Sequence, residues 1–479
     1  MRRFKYGFAA ISVSMLAVAC GGGDSKTELE APASLAWSEP QAAATVQGQG
    51  RTPELKLDDS GGLNLVIPWW NIGTSPGPGP AFFSVGHWTA LRQTLARSDN
   101  WSTMLVLPHN LNVKDWTVDA TGLSSVLMVD PTAPTMFAQL RRTEAGWPAP
   151  TLVPFAQAYP VAEVVESGVG AEPQLRPFVR YRLADGSDML AVVEHRPADG
   201  WRVEGIAVGP PDSMEPIALV RGKSGDAIVL WRQGSQLMRR VYDKQGLGSW
   251  GPAAQIEGAH AWRGAALAVA EPGATFLLAY ATCATLSGPC NLMAVQHNPV
   301  SGWGPSSVVA AGVSELRVRN AGIGRNGHAM VFWNRASTRL TNGGPLPGNP
   351  QASGPQAGVP PPGHEPVASL RDPVAGWSLP ELAPGDAFQV QIDAAGRVTT
   401  AGEATVGRYV RSTGWQAAPP PFFDPLRIYR QYGFVIDAMG GVTAAWSERS
   451  TDLHSFSAGD PPTYFFTARL NGTTMSPPP

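Results

Sequence analysis

An all-β chain built from repeated four-stranded units is predicted by three observations. The 479 residues include 53 glycines and 45 prolines, about a fifth of the total, which works against long helices. A phrase ending in Gly-Trp, often followed by Ser or Gly and then Pro, recurs along the chain. Between its copies, apolar residues alternate with a period of two, the pattern of strands rather than helices. Hydrophobic residues make up 43% of the chain and charged ones 15%, so there is enough apolar material for a large core. A net charge of -2 lacks the basic footprint of a nucleic-acid binder.

The recurrent tryptophans are Trp37, Trp101, Trp147, Trp201, Trp250, Trp303, Trp377 and Trp415. Their mean spacing is about 54 residues, close to the ~40–50 of propeller blades. In order along the chain, the first turns of units are marked by Asp58 to Gly61 and Asp119 to Gly122, where Gly permits positive φ and Asp bonds to its own backbone. The fourth unit reads PIALVRGKSG, DAIVLWRQ, QLMRRVYD and GSWGPAAQI, which is strand, turn, strand, strand and a closing strand. The fifth and sixth repeat that grammar, and Asp393 to Gly396 and Asp437 to Gly440 mark the first turns of the seventh and eighth. The last unit ends without a Gly-Trp strand, whereas LAWSEPQ at Trp37 is a closing strand with no strands before it. Joining the two gives a β-propeller of eight four-stranded blades over 33–471, closed by the N-terminal strand; seven blades is the alternative if an irregular third or seventh unit is misread.

Residues 1–19 have the layout of a secretory signal peptide: Arg2, Arg3 and Lys5, then an apolar run too short to span a bilayer. Leu16-Ala17-Val18-Ala19-Cys20 resembles a bacterial lipobox, which implies diacylation of Cys20 and a membrane anchor, with 20–32 as a flexible tether. Ordinary secretion after Ala17-Val18-Ala19 is the alternative. The resemblance implies the cell envelope, and Gly at the second position after Cys20 points to the outer membrane. Cys283 and Cys290 flank a hairpin-sized loop and are expected to form a disulfide; two separate buried thiols are the other reading. Residues 472–479 are expected to form a disordered tail.

Over nearly its whole length the chain resembles the broad superfamily of secreted bacterial β-propellers, some lectin-like and some sialidase-like. Its Asp-x-x-Gly turns differ from the sialidase Asp-box, and no WD signature occurs. The eight repeated tryptophans read as wedges between blades, since a residue recurring once per blade serves packing. Trp231, Trp333 and Trp446 read the same way.

Ligand binding is expected where loops are elaborated. In a four-stranded blade, the loop between second and third strands opens at the same end as the connection to the next blade. Four of these loops are unusual: 71–88, 283–290, the Pro/Gly-rich 338–364, and 450–463. The candidate ligand-binding residues are Trp70, Phe82, Phe83, His87 and Trp88, with His260 and Trp262 on an interblade connection and His454 on the last loop. Phe82 and Phe83 could instead pin a long loop to the sheet edge. No nucleophile elbow, metalloprotease motif or EF-hand can be written, and no cofactor, metal site or catalytic residue is assigned. The expectation is a non-enzymatic binding or scaffold module for a glycan or envelope protein. A polysaccharide-active hydrolase or lyase is the alternative.

Overall fold

The computed structural model describes residues 35–46, 49–50, 53–57, 62–74, 82–93, 102–108, 112–119, 122–129, 137–141, 151–152, 163–165, 177–196, 200–222, 224–243, 248–270, 275–285, 288–336, 364–402, 405–419, 421, 432–437, 440–449 and 463–471. Cys20 with the leader and tether, Trp101, Trp147, most of the 338–364 insertion, His454 and the C-terminal tail lie outside the described residues.

The described residues form eight antiparallel sheets, each following its neighbours in strand order. The fourth is typical: Met214–Arg221, Ala227–Gln233, Gln236–Asp243 and Ser249–Trp250. The fifth to seventh open with Ala265–Ala270, Arg317–Ile323 and Gln389–Ile392. The eighth comprises Tyr432–Ile436, Val442–Arg449 and Thr463–Asn471. Its missing strand comes from the other end of the chain, because Ala36–Trp37 and Gln41–Val46 both pair with Thr463–Asn471. In the third through eighth sheets, each opening strand contacts the opening strand of the next sheet, and that of the eighth contacts Glu54–Leu57 of the first. The architecture is all-β and propeller-like.

The repeated phrase now has a physical account. Gly302, Gly376 and Gly414 take φ of +73°, +82° and +74° in the turn that enters the closing strand, a region closed to most side chains. The residue after the tryptophan then donates its N–H to the third strand: Ser38 to Arg469, Gly251 to Val241, Gly304 to Gln296 and Ser378 to Leu370, all at 2.7–2.9 Å. Pro40, Pro252, Pro305 and Pro380 follow, and without an N–H they interrupt the ladder. The closing strand therefore comes in two pieces, as with Gly376–Trp377 and Glu381–Leu382, where the repeat pattern predicts one.

The wedge tryptophans Trp37, Trp250, Trp303 and Trp415 reach back to the preceding sheet. Trp250 packs with Phe178, Leu190 and Val192 of the third sheet. The Arg239 guanidinium of the fourth sheet lies 3.8 Å from the centroid of Trp303. Trp415 meets Phe332 edge-on, and Trp37 Nε1 donates to Pro419 O at 2.7 Å. Trp231, Trp333 and Trp446 are buried, as a packing role requires. Apolar clusters fill the spaces between consecutive sheets from the third to the eighth, and another joins Phe465 and Ala445 of the eighth to Leu63, Leu65 and Ile67 of the first. Two of the aspartate turns show the expected bonds: Asp393 Oδ1 accepts from the N–H of Ala395 and Arg397, and Asp437 Oδ1 from that of Gly441, while 58–61 and 120–121 lie outside the described residues.

The stretch 71–88 is corrected from loop to mostly strand. Leu63–Thr74 pairs with Phe82–Gln93 over twelve positions without a register shift, so only 75–81 separates the two strands. Alternation apolar-polar is weak there, because both arms are rich in aromatic and small residues, and the Gly/Pro cluster dominates the reading of the sequence.

Candidate ligand-binding site

Strand direction sends the connections between sheets, and the turns between second and third strands, to the same end of the sheets. Hydrogen bonds bear this out. In the link from the fourth sheet to the fifth, Ala261 N donates to Ser235 O at 3.2 Å, in the second-to-third turn of the fourth sheet. His260 N donates to Ala281 O at 2.8 Å, at the end of Thr275–Cys283. Ala336 N donates to Ser314 O at 3.1 Å in the sixth sheet's equivalent.

Trp262 is the most exposed described tryptophan on this end. It sits in a single 3-10 turn, Ala261–Arg263, anchored by buried Ala261, and is 61% exposed. Gly264, which ends the turn, is obligatory: a Cβ there would lie 2.7 Å from Val318 O. The Arg232 guanidinium stacks over the indole at 3.7 Å from its centroid and is itself ion-paired to Glu215, its partner across the sheet. Stacking and pairing together fix the ring and leave it in water, the reverse of what the wedge tryptophans do. His260 is half-buried beside it, and its side chain makes no capping bond to the turn.

The bridge predicted between Cys283 and Cys290 is present, with an S–S distance of 2.05 Å. The two are register partners at the ends of the second and third strands, so the bond closes the hairpin crosswise. The neighbouring link is laid along the same strand through the Ala259 to Thr282 bridge. His260 and Trp262 are thereby held close to the bridged hairpin.

Of the other predicted residues, those on the long hairpin are placed by strand register. Trp70 is the register partner of Gly86, and Trp88 of Pro68, while His87 partners Trp69 and Phe83 partners Gly73. Backbone alternation places positions 70, 82 and 88 on one face of the long hairpin and 83 and 87 on the other. His454 lies outside the described residues.

Reading the sequence missed further residues on this end. Asp188, 2% exposed, accepts from Arg182 Nε at 3.0 Å and from Asp212 N at 2.6 Å, and Arg182 also reaches Asp212 Oδ1 at 2.8 Å. Those bonds to Asp188 and Asp212 raise the Arg182 pKa above its ordinary value. Arg335 pairs with Glu365 at 2.8 Å, and His364 Nε2 approaches Glu315 at 3.1 Å. Between the sixth and seventh sheets a cavity of about 170 Å³ is lined by Arg319, Asn320, Asp386, Ala387 and Phe388. Arg319 and Asp386 are 67 positions apart in sequence, so the only local signal was a charged residue in a strand bordered by apolar ones.

No family model matches the chain, and no curated protein matches it in sequence. Solved structures with similar folds include the Aleuria aurantia lectin in complex with α-methyl-L-fucoside, at 10% identity and a TM-score of 0.29, covering 70% of this chain and 96% of the lectin. A sialidase from Streptococcus pneumoniae is 10% identical over 90% of this chain and 70% of its own, with a TM-score of 0.34. The WD40 domain of SCAP from fission yeast is 11% identical over 89% and 97% of the two chains, with a TM-score of 0.40.

Proposed function

We propose that this protein is a glycan-binding module of the cell envelope: an eight-bladed propeller, closed by its N-terminal strand and tethered through acylated Cys20. The observation that carries the binding reading is Trp262. Burial of an indole is strongly favourable, so keeping one 61% exposed while an arginine braces it is a cost without a packing return. A flat apolar ring beside a guanidinium and a carboxylate is suited to the C–H face and hydroxyls of a sugar. Its place among the connections, beside a covalently closed hairpin, supports the same reading.

The test is a glycan array probed with the full-length protein and with Trp262→Ala. Specific signals that fall at least tenfold in the variant support the reading. Silence from the parent protein refutes it and directs the search to a protein partner. Release of a shortened glycan would replace it with the hydrolase reading. The anchor is tested separately, by metabolic labelling with an alkyne fatty acid: label is expected in the parent chain and absent from Cys20→Ala.

A further inference from the structure

The cavity between the sixth and seventh sheets is built differently from the Trp262 surface. A register shift separates the pairs Val318 with Trp333 and Asn320 with Phe332, which makes Arg319 the extra residue of a β-bulge. Bulges re-aim the side chain they carry. Beneath it lies Asn334, 1% exposed. With its amide oxygen toward the guanidinium, Asn334 accepts from Arg319 Nη2 and Nε at 3.0 and 3.1 Å and donates to Asp386 Oδ1 at 3.3 Å. One buried amide thus orients both a cation and a carboxylate.

The aromatic member is fixed just as firmly. Asn320 Nδ2 donates to Ala387 O at 3.2 Å and Phe388 O at 2.8 Å, and Phe388 N donates to Ala401 O at 2.9 Å. With its backbone held on both sides, the Phe388 ring is still 58% exposed. Such an arrangement is preorganised, so a ligand meets donors and acceptors already in place.

We propose that this cavity is a second binding subsite, one that takes a single uncharged sugar unit presenting adjacent hydroxyls. The proposal rests on the glycan-binding reading and narrows it. The charge of Arg319 is cancelled by that of Asp386, which disfavours an anionic sugar and suits a ligand that both donates and accepts. Asn334 occupies the Nη2 and Nε edge of the guanidinium, so the Nη1 edge serves the ligand. The carboxylate accepts from paired hydroxyls, and Phe388 covers the C–H face. A volume of about 170 Å³ is below the ~300–1,000 Å³ that encloses drug-sized ligands, which limits the occupant to one ring.

The experiment uses full-length protein, Arg319→Gln and Phe388→Ala on an array carrying neutral and uronic-acid glycans, with thermal melting of each protein alongside. The expected result is binding to neutral glycans that weakens at least tenfold in both variants, with the melting of Phe388→Ala unchanged. Equal binding by parent and variants overturns this subsite and leaves the wider reading standing. A preference for uronic-acid glycans overturns the assignment of an uncharged ligand. No binding by the parent protein overturns both.

Discussion

The indole N–H of Trp377 donates to Ser307 Oγ at 2.9 Å, so a residue opening the closing strand of the sixth sheet is bonded to a residue opening the last strand of the fifth. The same side chain packs against the apolar cluster between those sheets. At Trp37, Trp250, Trp303, Trp377 and Trp415 a wedge of this kind binds a sheet to its predecessor, which explains why the motif recurs and why these tryptophans are poor ligand candidates.

Trp250, 8% exposed, and Trp262, 61% exposed, should therefore respond in opposite ways to truncation. Trp250→Ala is expected to cost ~3–5 kcal/mol of stability by opening a cavity against the third sheet. Trp262→Ala should stay within ~0.5 kcal/mol, as for a surface site. Urea unfolding followed by circular dichroism checks both.

His297 gives a pH signature. Burial, with a contribution from the nearby Arg239 cation, holds its pKa below the ordinary value, and its ring is packed between Phe276 and Trp303. The folded state therefore keeps it neutral where the unfolded chain takes up a proton. Its contribution is fully present above the unfolded pKa near ~6.5 and is lost as pH falls below it. The urea midpoint should drop as pH falls below about 6.5 in the parent chain, and the drop should shrink in His297→Phe.

Asp372 acts at lower pH. Backbone N–H groups of Ala375 and Val374 donate to its carboxylate, and together with Arg411 they hold its pKa at about 2. Because the folded value is depressed, the carboxylate stabilises the fold above the unfolded pKa of ~3.9, and that stabilisation disappears as pH falls toward the folded value. Parent and Asp372→Ala should differ in urea midpoint at pH 6 and converge as pH approaches about 2.

Gly402 supports the cavity between the sixth and seventh sheets. A Cβ at this position would lie 1.6 Å from Asp386 O, so Gly402→Ala must displace the segment that carries Asp386 and Phe388. A loss of ~1–3 kcal/mol is expected. At Gly251 the nearest atom to a Cβ is Val241 O at 3.5 Å, and Gly251→Ala should change stability by less than ~1 kcal/mol. Thermal melts of the two variants make the comparison.

The strand grammar was legible because each of its signals is local. Gly302 marks a turn, Trp303 a wedge and Pro305 a break, all within four residues, and the pairing of Cys283 with Cys290 needed only a short hairpin. The half-sheets at the two ends were legible too, because Trp37 and the strand ending at Asn471 each lacked what the other supplied. The ligand site was harder to read. Trp262 stood out as an aromatic in an interblade link, but its partners Arg232 and Glu215 looked like ordinary strand charges. Arg319 owes its direction to a bulge that no residue type announces, and it meets Asp386 only through the packing of two separate sheets. The long hairpin failed for the opposite reason: Gly and Pro at its tip concealed paired strands on either side.

The pairing of Ala36–Trp37 with Thr463–Asn471 also sets the order in which the molecule can be completed. Ala36–Trp37 and Gln41–Val46 are synthesised before their partner and wait unpaired until Thr463–Asn471 has been made. A chain cut short before residue 463 leaves these strands and Val442–Arg449 without the partner they share, and an open sheet edge invites aggregation. The eighth sheet thus times its own completion: it can be finished only once synthesis has passed residue 471.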